Sequence, residues 1–462
     1  MVYMQKKIIR SVFRAYDIRG IIGQELDEHA FYSIGLAIAC YLQLLKRNQI
    51  YLAQDGRLTS PSLALALKTG LLESGIDVVD LGAVATPVMY YATHTHDLDC
   101  GLMVTGSHNP AEYNGIKMVL AGKTLTQTDI DILYDFVVEG KRINGRGTET
   151  RLDVIPHYTQ RILNDIQLHR PLKVVVDCGN GIAGPIIPAV IAQLGCEVIP
   201  LYCDVDGRFP NHHPDPTIES NLVDLKEAVA LHKADIGLAF DGDADRLGLI
   251  TDQGEMIWPD RLMMLFSREL LSRVPGATIV YDVKCSSHLE QVINDAGGNA
   301  KMCPTGHSIV KAVMREEKAA LAGEMSGHLF FKDRWYGFDD ALYSACRLLE
   351  IISASQLKVS EQFALIPNSV NTPEIKIAIA DHDKFIFMKQ FSEQADFPEA
   401  RILTLDGLRV EFANGWGLLR ASNTTPCLVA RFEAVDMEHL LQIQLAFKEQ
   451  IELMNAELVL PF

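Results

Sequence analysis

Apolar runs alternate with amphipathic stretches over the first three-quarters of the chain, and the alternation repeats itself. Ile50 to Asp55 is an apolar run ending in Asp; Gly56-Arg57 follows, then a helical stretch from Pro61 to Glu73, Gly75, and a strand at Val78 to Leu81. The order returns at Leu172 to Asp177, with a Gly179-Asn180-Gly181 turn, a helix to Leu194, Gly195 and a strand to Leu201. It returns again at Thr278 to Asp282, with Ser286-Ser287 starting a helix, Gly297-Gly298 stopping it and a strand near Lys301. Each unit is a strand with Asp at its end, a helix closed by Gly, and a second strand. Three such units predict three related α/β domains rather than one large sheet.

Each unit also holds a later apolar strand that runs into a polar loop: Gly101 to Val104 before Thr105, Ile236 to Phe240 before Asp241, and Ala319 to Ala322 before Gly323. Ligands in α/β sheets gather at the carboxyl ends of strands, so three domains can direct three loops into one central cleft. After about Pro367 the rhythm changes to a strand (Glu374 to Ala380), a helix (Lys384 to Glu393), hairpin dipeptides at Asp406-Gly407 and Asn414-Gly415, a strand (Leu428 to Glu433) and a terminal helix (Met437 to Met454). This predicts a smaller α+β domain. The expected boundaries are 1–152, 153–253, 254–366 and 367–462, one loop from each domain.

Composition narrows the function classes. Of 462 residues, 48% are hydrophobic, enough for ordinary cores. The net charge of −17 argues against nucleic acid as a partner, because phosphate-backbone affinity needs a basic face. It does not forbid a small anionic ligand in a locally basic pocket. No apolar stretch reaches the 18 residues of a membrane span; Phe31 to Leu45 carries Ser33, Gly35 and Gln43, stops at Lys46, and reads as a core helix. The N-terminus lacks a signal-type apolar block. The nine cysteines are scattered with no Cys-x-x-Cys pair, the usage of reduced thiols in a cytoplasmic protein. No coiled-coil heptads occur, and a monomer is expected.

Four segments carry the candidate chemistry. In Thr105-Gly106-Ser107-His108-Asn109-Pro110 a serine exposed at a strand end has a titratable neighbour, which suits a hydroxyl that gives or receives an acyl or phosphoryl group. The same hexapeptide also reads as a polar turn, and it is not the Gly-x-Ser-x-Gly elbow of a hydrolase. In Asp241-Gly242-Asp243-Ala244-Asp245-Arg246 three carboxylates repel one another unless a cation lies among them, and hard oxygen ligands select Mg2+ or Ca2+ over zinc. An EF-hand would need Gly where Arg246 stands and Glu where Asp252 stands. Glu324, Ser326 and His328 supply an acceptor, a hydroxyl and a titratable ring, a set that can hold the vicinal diols of a sugar. Arg420-Ala421-Ser422-Asn423-Thr424-Thr425 has the composition of a phosphate cradle without the spacing of a nucleotide P-loop.

Together the four segments resemble those of the α-D-phosphohexomutase superfamily, and closely its bacterial bifunctional phosphomannomutase/phosphoglucomutase group. The similarity runs from Phe13-Arg14-Ala15-Tyr16-Asp17-Ile18-Arg19-Gly20 to the Arg420 segment, nearly the whole chain. Gly-Ser rather than Ala-Ser before the histidine sides with the mannose/glucose branch. One departure is Ala244, where the family commonly has Gly; if the position takes a positive φ, Ala is strained by roughly 1 kcal/mol or more. Residues 111–113 also differ mildly.

The resemblance implies reversible phosphoryl transfer between O1 and O6 of mannose or glucose phosphates, with glucose 1,6-bisphosphate as intermediate and activator. It implies Ser107 as the phosphoryl carrier, and Mg2+ held by Asp241, Asp243, Asp245 and the Ser107 phosphate. Arg246 and Lys117 would lie beside the transferring group; Tyr16, Arg19, His108 and His328 would move protons and hold the reacting hydroxyl, with the base left open. Lys284 and His307 would line the cleft, Glu324 and Ser326 would hold O3 and O4, and Arg420, Ser422, Asn423 and Thr424 would hold the non-reacting phosphate. A positive cleft in a negative body is therefore expected, with the last domain rotating over it to exclude water. The alternatives are a phosphoglucosamine mutase and a non-catalytic metal- or sugar-phosphate-binding protein on the same scaffold.

Overall fold

The three repeats fold into three sheets of one local topology. In the computed structural model, which describes residues 8–423 and 425–462, the first sheet holds β1 (Ile18–Ile21), β2 (Gln49–Gln54), β3 (Asp77–Ala83), β4 (Gly101–Val104), β5 (Tyr113–Leu120), β6 (Lys123–Thr124) and β7 (Glu149–Arg151) in the order β1-β5-β4-β2-β3-β7, with β6 on β5. The second holds β8 (Lys173–Asp177), β9 (Glu197–Leu201), β10 (Ile236–Phe240), β11 (Leu247–Thr251) and β12 (Met256–Ile257), in the order β12-β11-β10-β8-β9. The third holds β13 (Thr278–Asp282), β14 (Asn299–Cys303), β15 (Leu321–Gly323) and β16 (Leu329–Phe331), in the order β14-β13-β15-β16.

In every unit the first repeat strand (β2, β8 or β13) lies between two parallel neighbours. The chain then reverses, and an antiparallel strand returns: β5 on β4, β11 on β10, β16 on β15. The Ser107, Asp241 and Glu324 loops are the turns at these reversals. The returning strands make the sheets mixed, a feature the repeat pattern did not predict. Two of the polar residues of β5, Asn114 and Lys117, are buried among partners in other segments, which breaks its hydrophobic signature.

One apolar cluster runs through all three units, from Tyr51 and Val88 through Val174 and Leu238 to Ile279, Leu321 and Tyr343. The last domain has its own core. Its antiparallel sheet comprises β17 (Val370–Asn371), β18 (Ile375–Ala378), β19 (Arg401–Leu403), β20 (Leu408–Phe412), β21 (Gly415–Ala421) and β22 (Cys427–Ala434). Phe391, Phe397, Phe432 and Phe447 pack between that sheet and the helices Asp383–Gln394 and Met437–Met454. Its apolar contact with the third unit is small, formed by Val283, Trp416 and Leu418. Around it Arg409 donates to the carbonyls of Val283 at 2.6 Å and Cys285 at 2.8 Å, and Arg431 meets Asp260 at 3.2 Å.

The expected core helix spans Glu28–Leu44, and Asp27 caps it by accepting from Ala30 N at 2.8 Å. Among the described residues no helix is long and apolar enough to cross a membrane. This helix crosses Ser60–Glu73 at Gly35 and Gly70, where a Cβ would lie 2.5 Å from the carbonyl oxygens of Leu67 and Tyr32 respectively. Gly35→Ala should therefore destabilise the chain by about 1–3 kcal/mol through overpacking, against the ~1 kcal/mol that Ala gains in helix propensity. Denaturant unfolding of the two proteins measures the difference; equal or greater stability of the variant would refute the crossing.

Candidate active site

The serine loop is held by the aspartate that follows β2. Asp55 Oδ2 accepts from Thr105 Oγ1 at 2.8 Å and from Gly106 N at 3.2 Å. Ser107 takes a left-handed backbone (φ 49°), and its N–H donates to Thr105 Oγ1 at 2.8 Å. Its hydroxyl donates to Asp241 Oδ2 at 2.9 Å and lies 3.3 Å from His108 Nδ1. Ser107 is only 2% exposed, contrary to the expectation of an exposed hydroxyl. The Asp241 loop covers it: a Cβ on Gly242 would come within 2.6 Å of the Ser107 carbonyl oxygen.

The carboxylates of Asp241, Asp243 and Asp245 are all buried, and one oxygen of each lies within 4.8 Å of the others. Three domains meet on this loop. Lys117 of β5 binds Asp243 Oδ2 at 2.7 Å and also Asp245 Oδ2. Thr86 donates to Asp243 through its hydroxyl at 2.6 Å and through its N–H to the Asp243 carbonyl at 3.0 Å. His328 Nε2 faces Asp245 Oδ1 at 3.2 Å. Burial and the two neighbouring aspartates push Asp241 well above the usual carboxylate range. Burial acts the same way on Asp245, but Lys117 and His328 outweigh it and hold that carboxyl well below the range. Asp243 Oδ1 is buried with no donor among the described residues. A cluster of hard oxygens with one orphaned atom fits a divalent cation. Ala244 has φ 57° and is buried, so the left-handed conformation does fall on a residue with a side chain.

The third loop bonds to the second. Leu247 N donates to the Gly327 carbonyl at 3.1 Å, and the ring of His328 spans the gap. Its Nδ1 faces Glu324 Oε2 at 3.1 Å and Ser326 Oγ at 3.0 Å. Burial alone would lower this histidine, but Asp245 and Glu324 raise it to about 9, so the ring is an imidazolium at neutral pH. His108 and His307 go the other way: burial, then nearby cations, push both well below the usual value and leave them neutral. His307 packs edge-on against Tyr16 with ring centroids 4.9 Å apart, and neither of its nitrogens has a hydrogen-bond partner among the described residues.

A cleft of about 440 Å³ opens above these loops. Ser107, His108, Arg19, Lys117, Arg246, His328, Tyr16, Lys284, His307, Glu324, Ser326, Arg420, Ser422 and Asn423 all line it. Asp241, Asp243 and Asp245 are buried and do not line it, and Thr424 falls outside the described residues. Arg19 is oriented by Asn109 at 2.6 Å and Asp17 at 2.7 Å, and Arg420 by Asp406 at 2.8 Å. Arg19 Nε, Arg246 Nε and Arg420 Nη2 are buried with no acceptor among the described residues. The cleft is less uniformly positive than expected, because Asp215, Glu219, Glu324 and Glu374 also line it. Glu374 is neutralised in place: Lys284 lies 2.5 Å away and, with Arg420, overcomes the effect of burial and holds it at about 2.

The four parts of "Phosphoglucomutase/phosphomannomutase" match in chain order: alpha/beta/alpha domain I over residues 10–142, domain II over 156–254, domain III over 258–369, and the C-terminal domain over 374–450. A phosphomannomutase/phosphoglucomutase of Pseudomonas aeruginosa is 48% identical over 98% of each chain. A phosphoglucomutase of Neisseria meningitidis is 46% identical over 98% of this chain and 99% of its own. The crystal structure of a phosphoglucomutase/phosphomannomutase family protein from Burkholderia thailandensis superposes with a TM-score of 0.93 at 46% identity, covering 98% of this chain and 100% of its own. The chain belongs to the phosphoglucomutase/phosphomannomutase family.

For this family member, sequence reasoning missed several residues that complete the site. Glu374, Lys376, Asp215 and Trp258 line the cleft from segments with no motif of their own. Asp55 and Asp282 had a visible signal, the Asp at each strand end. In the fold each accepts a backbone N–H from the polar loop beside it, Gly106 N for Asp55 and Met325 N at 3.0 Å for Asp282.

Asp340 braces the acid loop from the third domain. It accepts from Tyr158 Oη at 2.9 Å and caps the helix Ala341–Ser353 through Tyr343 N at 2.9 Å, while Ala341 N reaches the Ala244 carbonyl at 3.3 Å. Burial pushes its carboxyl up to about 7 from 3.8. The folded chain thus holds this proton more tightly than the unfolded chain, so its contribution is complete below pH 3.8 and lost as pH rises through about 7. Within that window the slope is at most about 1.4 kcal/mol per pH unit. Asp340→Asn keeps the cap and should flatten the fall in thermal midpoint over this range. An unchanged pH profile in the variant would show that Asp340 does not hold the proton.

Proposed function

We propose that the chain interconverts hexose 1-phosphates and hexose 6-phosphates of glucose and mannose through a phosphoserine at Ser107. The observation that carries this reading is a buried serine hydroxyl beside an acidic triad, under a cleft whose arginines keep guanidinium N–H groups with no acceptor among the described residues. The relatives at 46–48% identity carry these mutase names.

Ser107 Oγ bears the phosphoryl group in the resting enzyme. The free sugar hydroxyl attacks phosphorus, the P–Oγ bond breaks, and glucose or mannose 1,6-bisphosphate results. The bisphosphate turns over in the cleft, and Ser107 Oγ takes back the other phosphoryl group as the P–O bond to the sugar breaks. Such transfer needs positioning and charge neutralisation more than covalent help. Asp241, Asp243 and Asp245 would hold Mg2+, which when bound neutralises charge on the transferring group. Lys117 and Arg246 add fixed positive charge. Neutral His108, 3.3 Å from Ser107 Oγ, can accept a proton, whereas the His328 imidazolium can only donate one. Glu324 and Ser326 hold O3 and O4, which glucose and mannose share. Arg420, Ser422, Asn423 and Thr424 hold the distal phosphate, with Tyr16, Arg19, Lys284 and His307 closing the walls. The all-thiol cysteine set fits the cytoplasm. All four loops come from one chain, which suits a monomer.

Intact mass should show one phosphoryl group on the purified protein, absent after Ser107→Ala, and that variant should lose mutase turnover by at least about 10³-fold. Wild-type protein with neither phosphoserine nor turnover in the presence of Mg2+ and glucose 1,6-bisphosphate would sink the reading. Glucose and mannose 1-phosphates should both turn over; strong preference for glucosamine 1-phosphate would transfer the chain to that branch. The separate core of the last domain and its small apolar contact with the third unit favour rotation over the cleft on binding. Small-angle scattering should record a smaller radius of gyration with a bisphosphate analogue, and an unchanged radius at saturation counts against closure.

A further inference from the structure

We propose that Arg57 is the positioning residue of the phosphoryl carrier: its guanidinium fixes the backbone of the Ser107 loop and so aims the serine hydroxyl. The proposal rests on the reading of Ser107 as that carrier. Arg57 sits fifty residues upstream, at the start of the turn after β2, and is 2% exposed. Its Nη1 donates to the carbonyls of Pro110 at 2.6 Å and Tyr113 at 3.1 Å. Its Nη2 donates to those of Ser107 at 2.7 Å and Asn109 at 2.5 Å. Three carbonyls of the irregular loop and that of Tyr113, the first residue of β5, therefore converge on one side chain. The buried carbonyls of Ser107 and Asn109, which lie outside any ladder, need such donors, and a planar guanidinium offers several of them in one fork.

The carbonyl of Ser107 is the important one. The residue holds a left-handed φ of 49°, a conformation that persists when its surroundings over-determine it. Arg57 grips this peptide from one side. From the other, the acid loop packs on the same oxygen, which a Cβ on Gly242 would approach to 2.6 Å. The spacing of Ser107 Oγ from Asp241 Oδ2 is thus set at a peptide that Arg57 holds. Gly106 is bare because the guanidinium lies against it, with a Cβ there only 2.4 Å from Arg57 Nε. Asp55 holds Arg57 Nε at 3.3 Å while accepting from Thr105 and Gly106, and the Phe209 ring of the second domain covers the guanidinium with its centroid 5.1 Å from Cζ. Arg57 does not line the cleft, so its effect must pass through Ser107 and not through substrate contact.

The test compares the full-length wild-type chain with Arg57→Lys and Arg57→Ala in the coupled assay on glucose 1-phosphate, with melting curves alongside. Misaiming of the reacting group by about 1 Å costs on the order of 10²-fold, so kcat should fall about that far while KM stays within about threefold. Free guanidinium ion, at concentrations well below those that unfold the protein, should recover roughly tenfold in Arg57→Ala and nothing in Ser107→Ala. A folded Arg57→Lys with the kcat of the wild type, or a loss that appears in KM, overturns the proposal. So does loss of the fold in both variants, which would assign Arg57 to stability. A wild-type protein without phosphoserine or turnover overturns the reading beneath it, an outcome visible before any variant is made.

Discussion

Three carboxylates buried within reach of one another cannot all stay charged unless positive charge is brought to them. The tertiary structure is organised around that demand. The second domain supplies the acids, the first answers with Lys117 and Thr86, and the third with His328. Apolar packing alone would hold the three domains together without setting their angles closely. Hydrogen bonds to a common set of carboxylate oxygens do set them, because each tolerates only a few tenths of an ångström. The same compensation leaves Asp241 as the carboxyl with the weakest claim to its charge, and it is the one that meets the serine.

Apolar area is buried unevenly between the domains. Domains one to three share a continuous core, so they act as one body. The last domain keeps its aromatic core to itself and docks largely through arginines on carbonyls and carboxylates. Polar docking of this kind can be re-formed at a different angle at little cost, whereas a shared core cannot. The domain that carries Arg420 is thus the one with the least apolar area shared with its neighbours.

The repeated strand and helix spans and the four loops were legible because local pattern encodes them, whereas roughly half of the cleft-lining residues were named, several of them, such as Lys117, Lys284 and His307, only through the family resemblance. Thr278–Asp282, Gly101–Val104, Ile236–Phe240 and Met437–Met454 coincide with the predicted elements. Less legible were elements whose side chains answer to distant partners. The strand β5 hides behind Asn114 and Lys117, which look like surface residues in sequence and are buried in the fold. Arg57 reads as one basic residue in a turn until the loop it grips is folded around it. The net charge was a poor guide to the cleft, where acids such as Glu374 are answered by bases at short range.

The sequence by itself determined the repeated α/β units, the separate final domain and the identity of the four chemical loops. Those properties follow from hydrophobic period, turn residues and clusters of polar groups, all of which act over a few residues. Only the tertiary structure decided that Ser107 is buried, that Ala244 is left-handed, that His328 is charged while His108 and His307 are neutral, and that each repeat ends in a reversed strand. Burial, backbone strain and proton affinity depend on which distant groups arrive within a few ångströms, and that distance is a property of the packed chain.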